Sequence, residues 1–326
     1  MYDVVTLGET MARLTPPGTL RLEQAQALEV HVGGSESNTS VGLARLGLRV
    51  CWLSRMTDNP VGHVITNAIR AQGVDTSHVV WTDSDRVGLY FLEEASAPRE
   101  SRVIYDRRDS AISRMLPEHL PAELFRKGEG RLLHLTGITL ALSPTAYETA
   151  QRALSLALAA GWQISFDVNY RGKLWASDTA RAGCDPFMQA ANLIFLPLRD
   201  AKLLYKLDAS LTAEQAIEEL HQRFPQATIV MTLGADGAIA RPRDGGIVRH
   251  AAFPATAVSR LGRGDAFTAG FLYRWLADSN DLSLALRYGT AMAALKYGIT
   301  GDMPLVEAAE VQALVANGAA SGGIAR

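Results

Sequence analysis

The stretch SRLGRGDAFTAGFLYRW, Ser259 to Trp275, sets two glycines around an arginine, follows them with Asp265, and then opens an apolar helical pattern. Ala266, Phe267, Ala269, Gly270, Phe271, Tyr273 and Leu276 suit a buried helix with small residues interleaved. Glycines ahead of such a helix let the backbone bend and come within contact distance of a ligand. The unpaired N–H groups of the first turn, around Gly262, Arg263 and Gly264, combine with the helix dipole into an anion site. A carboxylate beside that site is a poor anion ligand but a good acceptor for a hydroxyl proton. An anion hole with a base next to it is what phosphoryl transfer to an alcohol requires. On this stretch alone, a glycine turn in which Asp265 merely caps the helix is an equal reading.

Outward from it, short apolar runs alternate with helical patterns. DVVTLG, VCWLSR, LLHLTG, QISFDV, NLIFLP and TIVMTLG read as buried strands. NTSVGLARLG, VGHVITNAIRAQG, SPTAYETAQRALSLALAAG and TAEQAIEELHQRF read as helices between them. This alternation predicts an α/β fold, a mostly parallel sheet covered by helices on both faces. Its cleft is expected beyond the carboxyl ends of the strands, near Gly8-Glu9, Thr136-Gly137, Asp167 to Arg171 and Thr232 to Gly237. Residues of about 11–33 and 84–108 break the rhythm. They read as short strands, the second region a hairpin, joining into one small β-sheet that forms a lid over the cleft. One apolar face of such a sheet needs cover, so a homodimer through the lid is expected. The whole chain, 1–326, is expected to form one domain, with residues 317–326 as a flexible tail.

The bulk composition excludes several classes. The 326 residues are 48% apolar and 20% charged, an ordinary globular balance. A net charge of −2 gives no basic field for nucleic acid or an anionic membrane. Two cysteines, Cys51 and Cys184, support neither a disulfide framework nor a metal cluster. No apolar run is long enough to span a bilayer, and the opening residues do not read as a signal peptide. The expectation is a soluble, cytoplasmic protein. Phosphate-loop, simple dinucleotide, zinc-peptidase and serine-hydrolase motifs are absent, and the seven histidines lack ligand spacing.

A second stretch, VGGSESNTSVGLARLG (Val32 to Gly47), offers adjacent glycines and Asn38 at a helix start, suited either to hydroxyl recognition or to a plain loop and cap. Together the two stretches resemble the two signatures of the ribokinase-like (PfkB) carbohydrate kinases, G-G-x-x-x-N followed by a helix ending in Leu-Gly, and G-[AG]-G-D-x-F. The order matches and the resemblance covers nearly the whole chain. It implies a three-layer α/β/α fold with a β-lid, ATP and Mg²⁺ as cofactors, and Asp265 as the base, with the Gly262–Gly264 N–H groups as anion hole. It further implies Gly33, Gly34 and Asn38 on the sugar, Tyr90 and Tyr105 facing it from the lid, and TLGADGA as nucleotide loop with Gly234 and Gly237. Within the family, LGETMARLTPPG and FDVNYRGKLW resemble the kinases of 2-keto-3-deoxygluconate. A sugar acid needs a cation for its carboxylate, and Arg171 at a strand end, with Arg107 as second candidate, can supply it. The alternative for either arginine is a surface residue or a structural ion pair.

The chain also departs from the family pattern. Ser259 stands where an Asp associated with a monovalent cation is usual, which speaks against potassium activation. Arg263 replaces a small residue. Asp200 alone keeps an acid able to organise magnesium waters, and Thr290 takes a place near the adenine that is often Asn. The rival readings are a fructokinase or ribokinase, or a sugar-binding sensor without turnover.

Overall fold

The computed structural model describes residues 1–95 and 97–318. Eight strands lie side by side in the order Val248–His250, Ala238–Arg241, Thr228–Thr232, Leu193–Phe195, Gln163–Asp167, Gly130–Thr136, Tyr2–Leu7, Val50–Leu53. The last six are mutually parallel, and the first two add an antiparallel edge. All six strands expected from the apolar runs are present. They read as continuous apolar stretches because neighbouring residues point to opposite faces and both faces are covered. Val4 belongs to the apolar cluster that takes in the helices Ser35–Arg45, Pro60–Arg70, Arg263–Ala277 and Leu282–Tyr297, whereas Val5 belongs to the cluster with Pro144–Ala159, Ser177–Ala190 and Ala213–Arg223. The result is three layers with a separate apolar core on each side of the sheet.

Local chemistry fixes where several helices begin. Asn59, Ser143 and Thr212 each accept a first-turn N–H, and Pro60 and Pro144 follow two of them at the position where a missing N–H costs nothing. The Arg263–Ala277 helix starts differently. Gly262 sits before it at φ 67°, and a Cβ there would overlap the carbonyl oxygen of Asp302. Only glycine meets both conditions.

The two regions that broke the rhythm come together as a four-stranded sheet in the order Glu29–Gly33, Met11–Thr15, Leu89–Glu93, Arg102–Asp106. Its inner strands are parallel although they are far apart in sequence, and each is flanked by an antiparallel partner. The register places Arg13, Tyr90 and Tyr105 in one row facing the main body. The row Val30, Leu14, Phe91 and Ile104 lies on the other face, with Val30 and Ile104 exposed. The C-terminal helix runs Ala308–Asn317 and so takes in the first residue of the expected tail, while residues 319–326 lie outside the described ones.

Candidate active site

Three cavities run in line across the carboxyl ends of the parallel strands. A pocket of about 120 Å³ lies between the small sheet and the main body, lined by Gly33, Gly34, Tyr105, Arg171 and Asp265 among others. It opens into a cleft of about 700 Å³ that shares Gly262, Asp265 and Arg171 with it and adds Asp167, Asp200 and Gly234. Beyond lies a narrow slot of about 80 Å³ flanked by Gly237, Phe253, Thr290 and Tyr297. Asp265 therefore stands at the junction of the small pocket and the large cleft.

The Arg263–Ala277 helix carries Asp265 in its first turn, and the first backbone bond of that turn runs from Ala266 N–H to the Gly262 carbonyl, 2.9 Å. The N–H groups of Arg263, Gly264 and Asp265 precede it and have no turn of helix behind them to supply acceptors. Gly264 has nothing within 4 Å of where a Cβ would project, so the backbone there faces open cleft. The carboxylate of Asp265 is held on both oxygens. Ser35 Oγ donates to Oδ1 at 2.7 Å, Asn38 Nδ2 donates to Oδ2 at 2.8 Å, and Asn169 Nδ2 donates in turn to Ser35 Oγ at 2.6 Å. The group keeps an opening to the pocket, but its enclosure raises its pKa above the ordinary carboxylate value, against the pull of those two donors and of Arg171. Asp167, at the end of its strand, is pushed by burial to about 7, with the negative charges of Asp265 and Asp200 adding to the effect. Charged groups of one sign gathered at a strand end, with one cation beside them, mark a place built for chemistry rather than for stability.

Arg171 is that cation. It follows the Gln163–Asp167 strand, is exposed, and lines both pocket and cleft. Its guanidinium donates to the carbonyl of Tyr170 at 3.1 Å, and among the described residues it forms no ion pair. Arg107 lines the same pocket but is otherwise engaged. Its guanidinium pairs with Glu9, with Nε 2.7 Å from Oε2, and Ser110 Oγ donates to the other oxygen of Glu9 at 2.5 Å. Arg107 thus follows the ion-pair alternative, and its positive charge is largely spent before a ligand arrives. Tyr105 is 37% exposed and lies between Arg107 and Lys173, whose ammonium also donates to the Val103 carbonyl at 2.8 Å.

Other residues singled out in the sequence fall on the cavities with duties that differ from the expectation. The hydroxyl of Tyr90 donates to Asp302, not into the pocket, and Asp302 also meets Arg13 Nε at 3.2 Å. Asn38 is turned toward Asp265. Gly33 and Gly34 are packed so closely, against Asp302 and Tyr90 and against the Glu9 carbonyl, that any side chain would collide. Gly234 and Gly237 both have positive φ, at 68° and 90°. Thr290 lines the slot while its hydroxyl is shared with His250 Nδ1 and the Leu286 carbonyl, 3.0 Å each. Arg263 lies over the Tyr297 ring, 5.1 Å from its centre, and bonds its hydroxyl, so the side chain lines the slot. Asp200 is 3% exposed at the start of the Leu198–Tyr205 helix and meets the exposed Arg199 at 3.1 Å. Ser259 is 5% exposed, its Oγ accepting from Leu261 N–H at 3.4 Å.

Sequence reasoning missed Ser35, Glu36 and Asp302, and reached Glu9 and Asn169 only as part of the strand ends where the cleft was expected. Glu36 is fully buried beneath Gly8, accepts from the hydroxyls of Thr136 at 2.7 Å and Thr139 at 2.6 Å, and is raised by burial to about 7. Ser35 and Glu36 lie within the glycine-pair stretch, and Glu9 beside the predicted cleft, so a signal existed for them. Asp302 sits in no motif.

Comparison with known proteins agrees with this arrangement. Residues 1–308 match the pfkB family carbohydrate kinase. A 2-dehydro-3-deoxygalactonokinase of Haloferax volcanii is 38% identical over 316 residues, covering 97% of each chain. A 5-dehydro-2-deoxygluconokinase of Shouchella clausii is 30% identical over 319 residues, 96% of this chain and 95% of that one. The crystal structure of a 2-dehydro-3-deoxygluconokinase from Thermotoga maritima superposes with a TM-score of 0.88 at 28% identity, covering 97% of this chain and 98% of the other. The ribokinase-like fold and the line of cavities around Asp265 thus have a common explanation: the chain belongs to the pfkB family of carbohydrate kinases and is a sugar kinase, a phosphotransferase with an alcohol acceptor.

Proposed function

We propose that this kinase phosphorylates the C6 hydroxyl of 2-keto-3-deoxygluconate, or of a closely related sugar acid, with ATP, giving 2-keto-3-deoxy-6-phosphogluconate and ADP. One observation carries the reading. An exposed arginine without an ion-pair partner among the described residues, Arg171, shares a pocket with the base Asp265. A neutral sugar has no use for that charge, whereas a carboxylate accepts its forked donors in two parallel bonds. The three similar proteins named above all carry names of sugar acids, which differ in the configuration or the position of the keto group.

In this reading the acid lies in the small pocket, its carboxylate toward Arg171 and its terminal hydroxyl at Asp265. Asp265 takes the hydroxyl proton as the oxygen bonds to the γ-phosphorus, and the bond from that phosphorus to the β–γ bridging oxygen breaks. The N–H groups of Arg263 and Gly264 receive the negative charge of the moving phosphoryl group. Ser35 and Asn38 hold the base in line, and closing of the small sheet keeps out water that would compete as acceptor. The slot beside Thr290 and Phe253 suits a flat base, with Gly234 and Gly237 giving the backbone close access to ribose and phosphates. Among the described residues no group of three His, Cys, Asp or Glu forms a metal cage. Asp167 and Asp200 share the cleft, and their crowded charges suit a dication held mainly through phosphate oxygens and water. Mg²⁺ bound there would neutralise charge on the transferring phosphates.

The test replaces Arg171 by Ala and compares keto-acids with fructose and ribose. Loss of a charge-assisted pair costs ~2–3 kcal/mol, so kcat/KM for the acid should fall by ~30- to 150-fold with little change for neutral sugars. Equal losses on both would sink the sugar-acid assignment and favour a fructokinase or ribokinase. The row Val30, Leu14, Phe91 and Ile104 on the outer face of the small sheet further supports a homodimer through that sheet.

A further inference from the structure

The Leu282–Tyr297 helix carries Lys296 into the interior, where the residue is 0% exposed. A lysine is almost never so buried unless it is compensated. Here its ammonium donates to the backbone carbonyls of Ile299 and Gly301, both at 2.9 Å. Asp302 and Asp265 favour its charge, while burial and the neighbouring Arg13 oppose it, and the balance brings its pKa down to about 8. No motif accounts for this residue, and it touches none of the three cavities.

Its surroundings show what it holds. The turn it bonds ends on Asp302, whose carbonyl rests against Gly262, the left-handed residue that opens the anion-hole helix. Tyr297, the next residue along, accepts from the N–H groups of Val258 at 2.7 Å and Ser259 at 3.2 Å. Residues 258–262 therefore lie between two supports, and the lysine ties both to one helix end. Ser259, the buried side chain of that segment, brings no charge. Backbone carbonyls converging on a buried unit charge are also the environment that replaces the water around a potassium or ammonium ion.

We propose that Lys296 is a tethered monovalent cation: its ammonium orders the 299–302 turn, and through Asp302 and Gly262 it positions the anion hole, so that phosphoryl transfer needs no added potassium. Lys296 is thus a positioning residue, acting through the backbone of another segment. The inference rests on the phosphotransferase activity and not on which sugar is the acceptor.

Three proteins test it, each assayed in potassium, ammonium and tetramethylammonium chloride at fixed ionic strength. Wild-type kcat should be the same in all three within about twofold. Lys296→Ala should lose kcat by ~10- to 100-fold, as expected for an anion hole displaced by up to 1 Å, with KM for the sugar nearly unchanged. Ammonium or potassium at millimolar levels should restore several-fold of that loss, and tetramethylammonium, too large for the space, none of it. Lys296→Met fills the space without charge, so it should be slow and beyond rescue by any cation. The inference is overturned if wild type is activated more than threefold by potassium, if the Met variant runs at the wild-type rate, or if no cation rescues the Ala variant. The first two arms stand even if Lys296→Ala does not fold. Thermal melting gives a readout independent of substrate. Ammonium should raise the melting temperature of the Ala variant relative to tetramethylammonium and leave wild type unmoved. A wild type silent on the keto-acids would count against the substrate assignment, while the melting arm would still decide the role of Lys296.

Discussion

Substituting alanine at Gly264 should make the protein more stable and nearly inactive. Gly264 is the second residue of the Arg263–Ala277 helix, has no positive φ, and offers open space where a Cβ would project. Alanine there fits the folded chain and narrows the unfolded ensemble, a gain of ~0.4–1 kcal/mol. At ~2.1 cal/mol/K per residue, that raises Tm by only ~1 °C for a chain of this length. The open space, however, is where the account puts the transferring phosphoryl group. A methyl there pushes that group away by ~1 Å or more, and a misplacement of this size costs ~10²-fold in kcat. Gly262→Ala is the companion, because a Cβ at φ 67° would overlap the Asp302 carbonyl even without ligand. That variant should lose both Tm and activity. The assay is coupled ADP release alongside scanning calorimetry on the same preparations. A Gly264→Ala protein with Tm preserved and kcat within threefold of wild type would mean that phosphate does not pass over this turn, and the anion-hole reading would be wrong.

Two further outcomes follow from other parts of the molecule. Glu36 is fully buried, and burial raises its folded pKa to about 7 from an ordinary 4.5. A raised carboxyl pKa lends stability that is complete at low pH and is lost as pH rises through the folded value, a loss of ~3 kcal/mol between pH 4.5 and 7. Glu36→Gln should therefore gain on wild type as pH increases from 5 to 8, by ~4 °C in Tm, and a pH-independent difference would refute the burial argument. Replacing Val30 and Ile104 by lysine should convert a dimer to monomer in sedimentation equilibrium. An unchanged assembly state would remove the outer face of the small sheet as the interface.

The architecture was legible where local pattern and burial agree. Runs such as TIVMTLG read as strands because they are covered on both faces, and glycine–acid turns at their ends marked the cleft. The 238–241 and 248–250 edge strands escaped notice because they are short and lie around a Pro-, Asp- and Gly-containing turn. The small sheet was visible as two interruptions, but its pairing of residues 11–15 with 89–93 was not, since parallel register across such a separation leaves no local trace. The same limit governs the site. Gly262 and Asp265 stand in a motif, and the structure places both where the small pocket meets the large cleft. Arg107 and Tyr90 were found as residues, but their partners, Glu9 and Asp302, lie 98 and 212 positions away, and only the fold reveals that their polar groups are already engaged. Lys296 stands in the last turn of a helix, where a lysine is ordinary, and sequence reasoning did not single it out. Its burial depends on the loop that follows, which carries no periodicity to read.

The most direct test of the account is steady-state phosphorylation by wild type and Asp265→Asn across 2-keto-3-deoxygluconate, its galactonate epimer, fructose and ribose, with ATP and magnesium. The account predicts turnover confined to the keto-acids and a fall of ~10²-fold or more in kcat for the variant, while both proteins bind the acid with similar affinity. Equal turnover of neutral sugars, or an Asp265→Asn enzyme within tenfold of wild type, would contradict it.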